Sequence, residues 1–457
     1  MKQIETYRGK KVLVLGLAKS GYGVTKLLLK LGATVIVNDK NDLSGDEHAL
    51  ELEKLGVKII SGSHPVELLD ESFDYMVKNP GIPYSNPMVE RAQELELPIL
   101  TEPEVAAEVS EAPIVAITGS NGKTTTTMLT AEMLNKHLTK GRAYTVGNIG
   151  RPISELVEDV TKNDILVLEI SSFQLLGTFK FHPKVAAIVD IYPTHIDYHG
   201  NLENYVAAKL RITQNQTAAD YFIANFDQKD ILAKELATTK AQVKNVSLTD
   251  PTADYYVSTD NLVGNGTDLL AIDQVKLPGR HNLQNALVAS AIAQIFGVTK
   301  SEIAAVLTSF RGVRHRIQYV TEFNGREFYN DSKATNIEAA TVAITSFNKP
   351  EVLIAGGLDR GFTFEDLIEP LQKHVKSVVL YGESKQLLAD AAKAAGIADI
   401  AIVDTLEEAV PKAYEQSAVG DIILLSPACA SWDQFKTFEE RGDKYINYVE
   451  QLIERTK

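Results

Sequence analysis

The residues best equipped for chemistry stand at 118–124, Thr-Gly-Ser-Asn-Gly-Lys-Thr, directly after the apolar run Ile114–Thr118. A buried strand that ends in glycines and passes at once into a helix aims backbone N–H groups into one concavity. The helix N-terminus adds partial positive charge there. Gly119, Ser120, Asn121 and Gly122 therefore read as a phosphate cradle. Lys123 would neutralise β- and γ-phosphate charge, and the hydroxyl of Thr124 or Thr125 would ligate Mg²⁺. The full Walker spacing is not met, because position 117, where its first glycine belongs, is Ile117. The strand–loop–helix context carries the nucleotide reading, and an ordinary βα turn is the bland alternative.

Three further places hold chemistry-bearing side chains. Gly16-Leu17-Ala18-Lys19-Ser20-Gly21 follows a short apolar strand and resembles a dinucleotide fingerprint with Ala18 in place of its middle glycine. Asp39 ends the next strand, near the offset expected of a ribose partner. Such a turn could bind NAD, another nucleotide, or nothing. Glu169 ends the apolar strand Ile165–Leu168, at the rim where parallel sheets bind ligands, and suits the Mg²⁺ of a bound nucleotide; a solvated strand-end acid is the rival. His195-Ile-Asp197-Tyr-His199 follows another strand and suits a magnesium with one or two protein ligands better than a four-ligand zinc. Lys209, in a helical stretch after it, reads on its own as a solvated lysine.

The elements that must position these groups repeat one scheme: apolar strand, glycine turn, helix. It recurs at KVLVLGLAKSGYG, PIVAITGSNGKTT and EVLIAGGLDRG. Continuous apolar strands alternating with helices indicate α/β folds with parallel sheets covered on both faces. Strands are expected at Lys11–Leu15, Thr34–Asn38, Tyr75–Lys78, Ile114–Thr118, Ile165–Glu169, Val185–Ile191, Val352–Ala355, Ser377–Tyr381 and Asp421–Ser426, with a helix at Asn282–Phe296. Length 457 suits three domains, expected at 1–106, 107–312 and 313–457.

A single cysteine rules out an intramolecular disulfide, and no run approaches the 18 or so apolar residues of a spanning helix. A cytoplasmic location is expected. Lys+Arg 46 against Asp+Glu 60 leaves −14, so the overall field repels nucleic acid. Anionic ligands would have to be held by local devices: helix termini, backbone N–H groups and a few placed cations.

In order along nearly the whole chain, TGSNGKTTT (118–126), GNIG (147–150), LEISSFQL (168–175), HIDYHG (195–200), AAKLRI (207–212), GRHNLQN (279–285), HRIQ (315–318), NDSKATN (330–336), GGLDRG (356–361) and SPACASWDQFKTFEERG (426–442) resemble the motifs of the Mur ligases. These are the ATP-dependent amino-acid ligases of bacterial peptidoglycan synthesis. The phosphate loop is shared with folylpolyglutamate synthases; NDSKATN and the last segment resemble the members that add D-glutamate.

The resemblance implies a Rossmann-like N-terminal domain, a central P-loop-type ATPase domain and a Rossmann-like C-terminal domain. It implies ATP and two Mg²⁺ ions, with UDP-N-acetylmuramoyl-L-alanine and D-glutamate as small-molecule substrates, in a protein expected to be a monomer. Lys123 and Thr124 would hold the ATP phosphates and Mg²⁺, Glu169 would bind Mg²⁺, and His195 would bind a second Mg²⁺ whose site a carbamylated Lys209 completes. Asn282 and Asn285 would contact the adenine side, and Arg316, Asp331 and Lys333 would close over the nucleotide. The UDP moiety would lie on Gly16, Leu17, Ala18, Lys19 and Ser20 with Asp39 and Lys40, and Asn148 would also contact that substrate. Thr335, Arg360, Ser431 and Phe438 would cradle D-glutamate. Arg360 stands where some members carry lysine, so its grip can be bidentate; His199 is given no role, and Cys429 reads as a small buried residue. A related ligase taking another amino acid, an NAD-dependent oxidoreductase and a non-catalytic nucleotide-binding regulator are the rival readings.

Overall fold

A computed structural model describes residues 1–361 and 363–456. Its strands form three sheets. The first joins β1 (Lys11–Leu15), β2 (Thr34–Asp39), β3 (Lys58–Ser61), β4 (Tyr75–Lys78) and β5 (Ile99–Leu100) in the order β3-β2-β1-β4-β5, all parallel. Val12, Leu13, Val14 and Leu15 are buried on both faces of the sheet. The helix Lys19–Lys30 covers one face, turning Val24, Leu27 and Leu28 inward.

The central sheet contains β6 (Ile114–Thr118), β7 (Ala143–Gly147), β8 (Ile165–Glu169), β9 (Val185–Ile188), β10 (Tyr221–Asn225), β11 (Gln242–Ser247), β12 (Tyr255–Val257), β13 (Asn261–Gly264) and β14 (Thr267–Ala271). Their order is β14-β13-β12-β11-β10-β9-β6-β8-β7. The third contains β15 (Gln318–Phe323), β16 (Arg326–Asn330), β17 (Glu351–Gly356), β18 (Val375–Tyr381), β19 (Asp399–Ile402) and β20 (Ile422–Leu425), in the order β15-β16-β20-β17-β18-β19. The chain packs as two compact units: residues 1–274 with 283–308, and residues 275–282 with those from 309 onward.

The parallel expectation holds for the strands that carry motifs, but two sheet edges depart from it. β12–β13–β14 and β15–β16 run antiparallel. The β13–β14 hairpin closes on Asn265-Gly266 and the β15–β16 hairpin on Asn324-Gly325, with φ of 48°/74° and 48°/71°. Two successive positive φ values make the turn whose twist matches paired strands, and Asn-Gly is its strongest sequence signal. The strand expected at Val185–Ile191 stops at Ile188, and the helix expected at Asn282–Phe296 runs Arg280–Ile295.

Candidate functional site

The sheet order β9-β6-β8 explains the first grouping. Ile117 on β6 is level with Glu169 on β8, and Thr118 is level with Ile188 on β9. The loop Gly119–Gly122 therefore leaves the sheet with Glu169 on one side and Val189–Tyr192 on the other. The helix Lys123–His137 begins at once, with Gly122 as its N-cap at φ 74°. A side chain at Gly122 would be strained by that φ and would collide with the Oδ1 of Asn285 and with Val189.

The loop is held open by a residue that sequence reasoning passed over. Asp190 accepts the Asn121 N–H on its Oδ1 at 2.6 Å, and its carbonyl accepts the Ser120 N–H at 3.0 Å. Past Ile188 the Val189 N–H still bonds the Thr118 carbonyl at 2.9 Å, and from Asp190 onward the chain bonds the loop instead. The Ser120 hydroxyl bonds to Tyr205 Oη at 2.8 Å and accepts from the Tyr192 N–H at 2.8 Å. Lys123 turns Nζ back onto the carbonyls of Gly119 and Ser120, at 2.8 and 2.9 Å. Burial pushes the Asp190 carboxyl upward, against the Asn121 bond and the charge of Lys123.

Lys209 is corrected by the structure: it is not solvated but 2% exposed. Its Nζ donates to the same Gly119 carbonyl at 2.8 Å and lies 4.6 Å from the centre of the Tyr205 ring. Burial first, then the neighbouring Lys123, brings its amine down to about 7. His195 starts the short helix Ile196–His199 at φ 56°, a left-handed conformation uncommon outside glycine. Phe173 meets its ring edge-on at 5.0 Å. Burial, Lys123 and Lys209 favour the neutral imidazole, which keeps a nitrogen lone pair for a cation. His199 packs on Phe173 and bonds Ser172 at 3.0 Å, an interior role.

Glu169 is buried, not a solvated strand end. Its Oε1 accepts from Asn148 Nδ2 at 2.8 Å, while Oε2 is buried without a partner. An orphaned carboxylate oxygen beside a phosphate loop fits a hard cation such as Mg²⁺, which takes few protein ligands. No cluster of three or more His, Cys, Asp or Glu side chains that could hold a metal occurs among the described residues. Asn148, expected against substrate, has its side-chain N–H on Glu169 and orients that carboxylate. Thr124 and Thr125 are buried in the first turn of the helix.

In the first sheet, residues 16–18 link β1 to the helix Lys19–Lys30, whose first turn holds Lys19 and Ser20. The Leu17 N–H donates to Asp39 Oδ2 at 2.8 Å, and Asn41 donates to Oδ1. Asp39 thus braces the loop it was expected to assist. Lys40 is exposed beside it. The Gly16 loop lies close on the turn after β4: a Cβ at Gly16 would come 2.9 Å from Asn79 Cβ.

The second unit gathers its own set. His315 and Ile317, at φ 64° and 41°, flank Arg316, whose Nε is buried without a partner. Asp331 accepts the Ile317 N–H at 3.1 Å and the Ser426 hydroxyl at 3.0 Å, and burial raises its carboxyl to about 7. Asn282 donates to the Pro278 carbonyl at 2.6 Å. Lys333 lies 5.7 Å over the Phe438 ring; Ser431 is buried, Thr335 half-buried and Arg360 exposed. Arg441, fully buried, holds the backbone and hydroxyl of Ser332 and was not singled out from sequence. Cys429 is buried against Ser384, its thiol pushed up to about 11, as a small interior residue should be.

Family models match three stretches: the Mur ligase MurD-like N-terminal domain at residues 10–101, the Mur ligase middle domain at 117–293, and the Mur ligase glutamate ligase domain at 315–429. The UDP-N-acetylmuramoylalanine–D-glutamate ligase of Lactobacillus acidophilus is 62% identical over 99% of both chains. That of Lactobacillus delbrueckii subsp. bulgaricus is 57% identical over 100% of both. Two solved structures share the fold: UDP-N-acetylmuramate–alanine ligase of Thermotoga maritima (TM-score 0.57, 18% identity, covering 96% of this chain and 99% of that one) and MurF ligase of the same organism in complex with ADP (0.56, 17%, 99% and 98%).

Proposed function

The chain belongs to the Mur ligase family, and on that premise we propose that it joins D-glutamate to UDP-N-acetylmuramoyl-L-alanine at the expense of ATP, in the synthesis of peptidoglycan precursors. The geometric observation that carries this reading is the phosphate loop 119–122 flanked by Lys123, Lys209, His195 and the half-satisfied carboxylate of Glu169. The identity of 62% with a ligase of that name selects the amino acid.

The terminal alanine carboxylate attacks the γ-phosphorus of ATP, giving an acyl phosphate and ADP. The amine of D-glutamate then attacks the acyl carbon, phosphate leaves, and the amine's surplus protons pass to solvent. Carboxylates and phosphates must converge, so the residues have to supply countercharge before the barrier can fall. Lys123 swings from the loop carbonyls onto the β- and γ-phosphates. Loop N–H groups and the start of the helix Lys123–His137 cradle the remaining oxygens. Thr124 and Glu169 would hold one Mg²⁺, and His195 with carbamylated Lys209 a second; bound there, the ions supply Lewis-acid polarisation of phosphoryl oxygens. Asn285 takes the adenine side beside the loop. In the second unit Asn282, Arg316, Asp331 and Lys333 serve the nucleotide, Arg316 with an unused buried donor. Thr335, Arg360, Ser431 and Phe438 serve D-glutamate. Residues 16–20 with Asp39 and Lys40 hold the UDP end, and Asn148 acts on that substrate's side of Glu169.

The bounds 1–106, 107–312 and 313–457 are proposed as the three functional domains, and the protein as a cytoplasmic monomer; no helix among the described residues is long and apolar enough to cross a membrane. The test is ADP release with UDP-N-acetylmuramoyl-L-alanine and one amino acid at a time. Turnover with D-glutamate alone supports the reading. Equal turnover with L-glutamate or L-alanine, or none with D-glutamate, rejects it.

A further inference from the structure

The last residue of β4, Lys78, is a buried cation that the reaction just described does not use. It is 1% exposed, and no carboxylate pairs with it among the described residues. Its Nζ instead faces the turn that follows, Asn79-Pro80-Gly81-Ile82-Pro83. It donates to the Ile82 carbonyl at 2.8 Å and lies 3.3 Å from that of Pro80. Two prolines remove two of this turn's N–H donors; the Ile82 N–H serves the Asn79 carbonyl at 3.0 Å, and Lys78 reaches those of Pro80 and Ile82.

A second donor converges on the same two oxygens. Tyr198 Oη lies 3.3 Å from the Pro80 carbonyl and 3.2 Å from that of Ile82, and accepts from Lys78 Nζ at 3.2 Å. Tyr198 is three residues beyond His195, and both rings are wedged by Phe173, edge-on at 4.4 and 5.0 Å. On its other side the turn grips the end of β1: the Asn79 N–H donates to the Leu15 carbonyl at 2.8 Å, and Asn79 and Ile82 crowd Gly16.

A chain of direct contacts thus runs from the 16–20 loop through the turn 79–82 and Lys78 to the segment bearing His195. We propose that Lys78 is a positioning residue for the nucleotide substrate, clamping with Tyr198 the turn that fixes where the 16–20 loop holds its UDP end. This rests on the reading of that loop given above. A lysine suits the task because one ammonium serves several acceptors at once, whereas an apolar side chain would leave the single hydroxyl of Tyr198 to serve both carbonyls.

The test is steady-state kinetics of Lys78→Met. The KM for UDP-N-acetylmuramoyl-L-alanine should rise about tenfold, with the KM values for ATP and D-glutamate within about twofold of wild type. Burial lowers the Lys78 amine to about 8, so the charged clamp is complete below that pH and is lost above it. The titratable groups facing it are the phenols of Tyr84 and Tyr198, both pushed upward by burial and neutral throughout the window; Arg211 acts on Tyr84. The ratio of variant to wild-type KM should therefore shrink between pH 7 and 9.5, while groups shared by both proteins cancel.

Tyr198→Phe keeps the ring and removes only the hydroxyl, so it decides the matter if Lys78→Met does not fold; the same selective rise in KM is expected. Unchanged constants, an equal rise in all three KM values, or a pH-independent ratio would overturn the proposal. Absence of D-glutamate-dependent turnover in the wild type would instead overturn the functional reading.

Discussion

Replacing Lys209 by alanine tests the least expected feature of the site. In the fold this amine is 2% exposed, and its burial lowers it to about 7 from the 10.5 of an exposed lysine. That gap corresponds to ~5 kcal/mol against the charged form. Burial contributes most, and the charge of Lys123 adds to it. The lowered amine is therefore neutral in a far larger share of molecules near neutral pH than an exposed lysine is.

Neutral amine is the form that adds CO₂. The product is an anion with two oxygens, suited to a hard cation, where an ammonium 4 Å from a like charge meets roughly 4 kcal/mol of repulsion even in a surface-like dielectric. Protonation below about pH 7 removes the nucleophile, so carbamate content and activity should fall together on the acid side, and CO₂ depletion should cost more activity at pH 6.5 than at 8.5. Lys209→Ala should be nearly inactive in the ADP-release assay, and acetate or propionate should restore part of the rate by filling the vacated ligand position. Carbon-13 NMR with labelled bicarbonate should show a carbamate signal in the wild type that the variant lacks. A fully active Lys209→Ala protein refutes the reasoning. So does an inactive one that no small acid rescues, if the wild type also shows no carbamate.

Lys123→Ala should lower kcat by a factor on the order of 10² or more, because it removes the cation proposed to face the phosphates; near-normal turnover would mean the loop has another role. Glu169→Gln keeps an acceptor for Asn148 but replaces the orphaned oxygen, so the Mg²⁺ concentration for half-maximal rate should rise on the order of tenfold or more, and an unchanged magnesium titration would remove Glu169 from the metal site. If local, buried cations hold the anionic substrates of this chain of net charge −14, as proposed, the KM values should rise only modestly with added salt. A steep salt dependence would show that long-range steering dominates.

The strand–loop–helix geometry of the candidate site was legible in the sequence because its determinants are local. A strand, two glycines, a lysine and a run of threonines lie within about a dozen residues, and neighbours that close decide their own geometry through φ freedom at Gly122 and the start of a helix. The strands flanking the loop were legible for the same reason: fully buried parallel strands read as unbroken apolar runs. The two Asn-Gly turns were equally local signals, and the parallel-sheet expectation passed over them.

What tertiary structure alone decided concerns residues whose partners are distant in the chain. Lys209 looks like a helix-surface lysine until the fold sets it on the Gly119 carbonyl, 90 positions away. Asp190 looks like the tail of an apolar strand until the order β9-β6-β8 brings it to the N–H of Asn121. Lys78 is one lysine among many until Tyr198, 120 residues on, shares its carbonyls. Each of these polar groups lost its water on folding and needed a replacement partner. Residue types and spacing along the chain state which chemistry is available; the packing of one strand beside another determines which charges are desolvated together, and desolvation is what lowers the amine of Lys209.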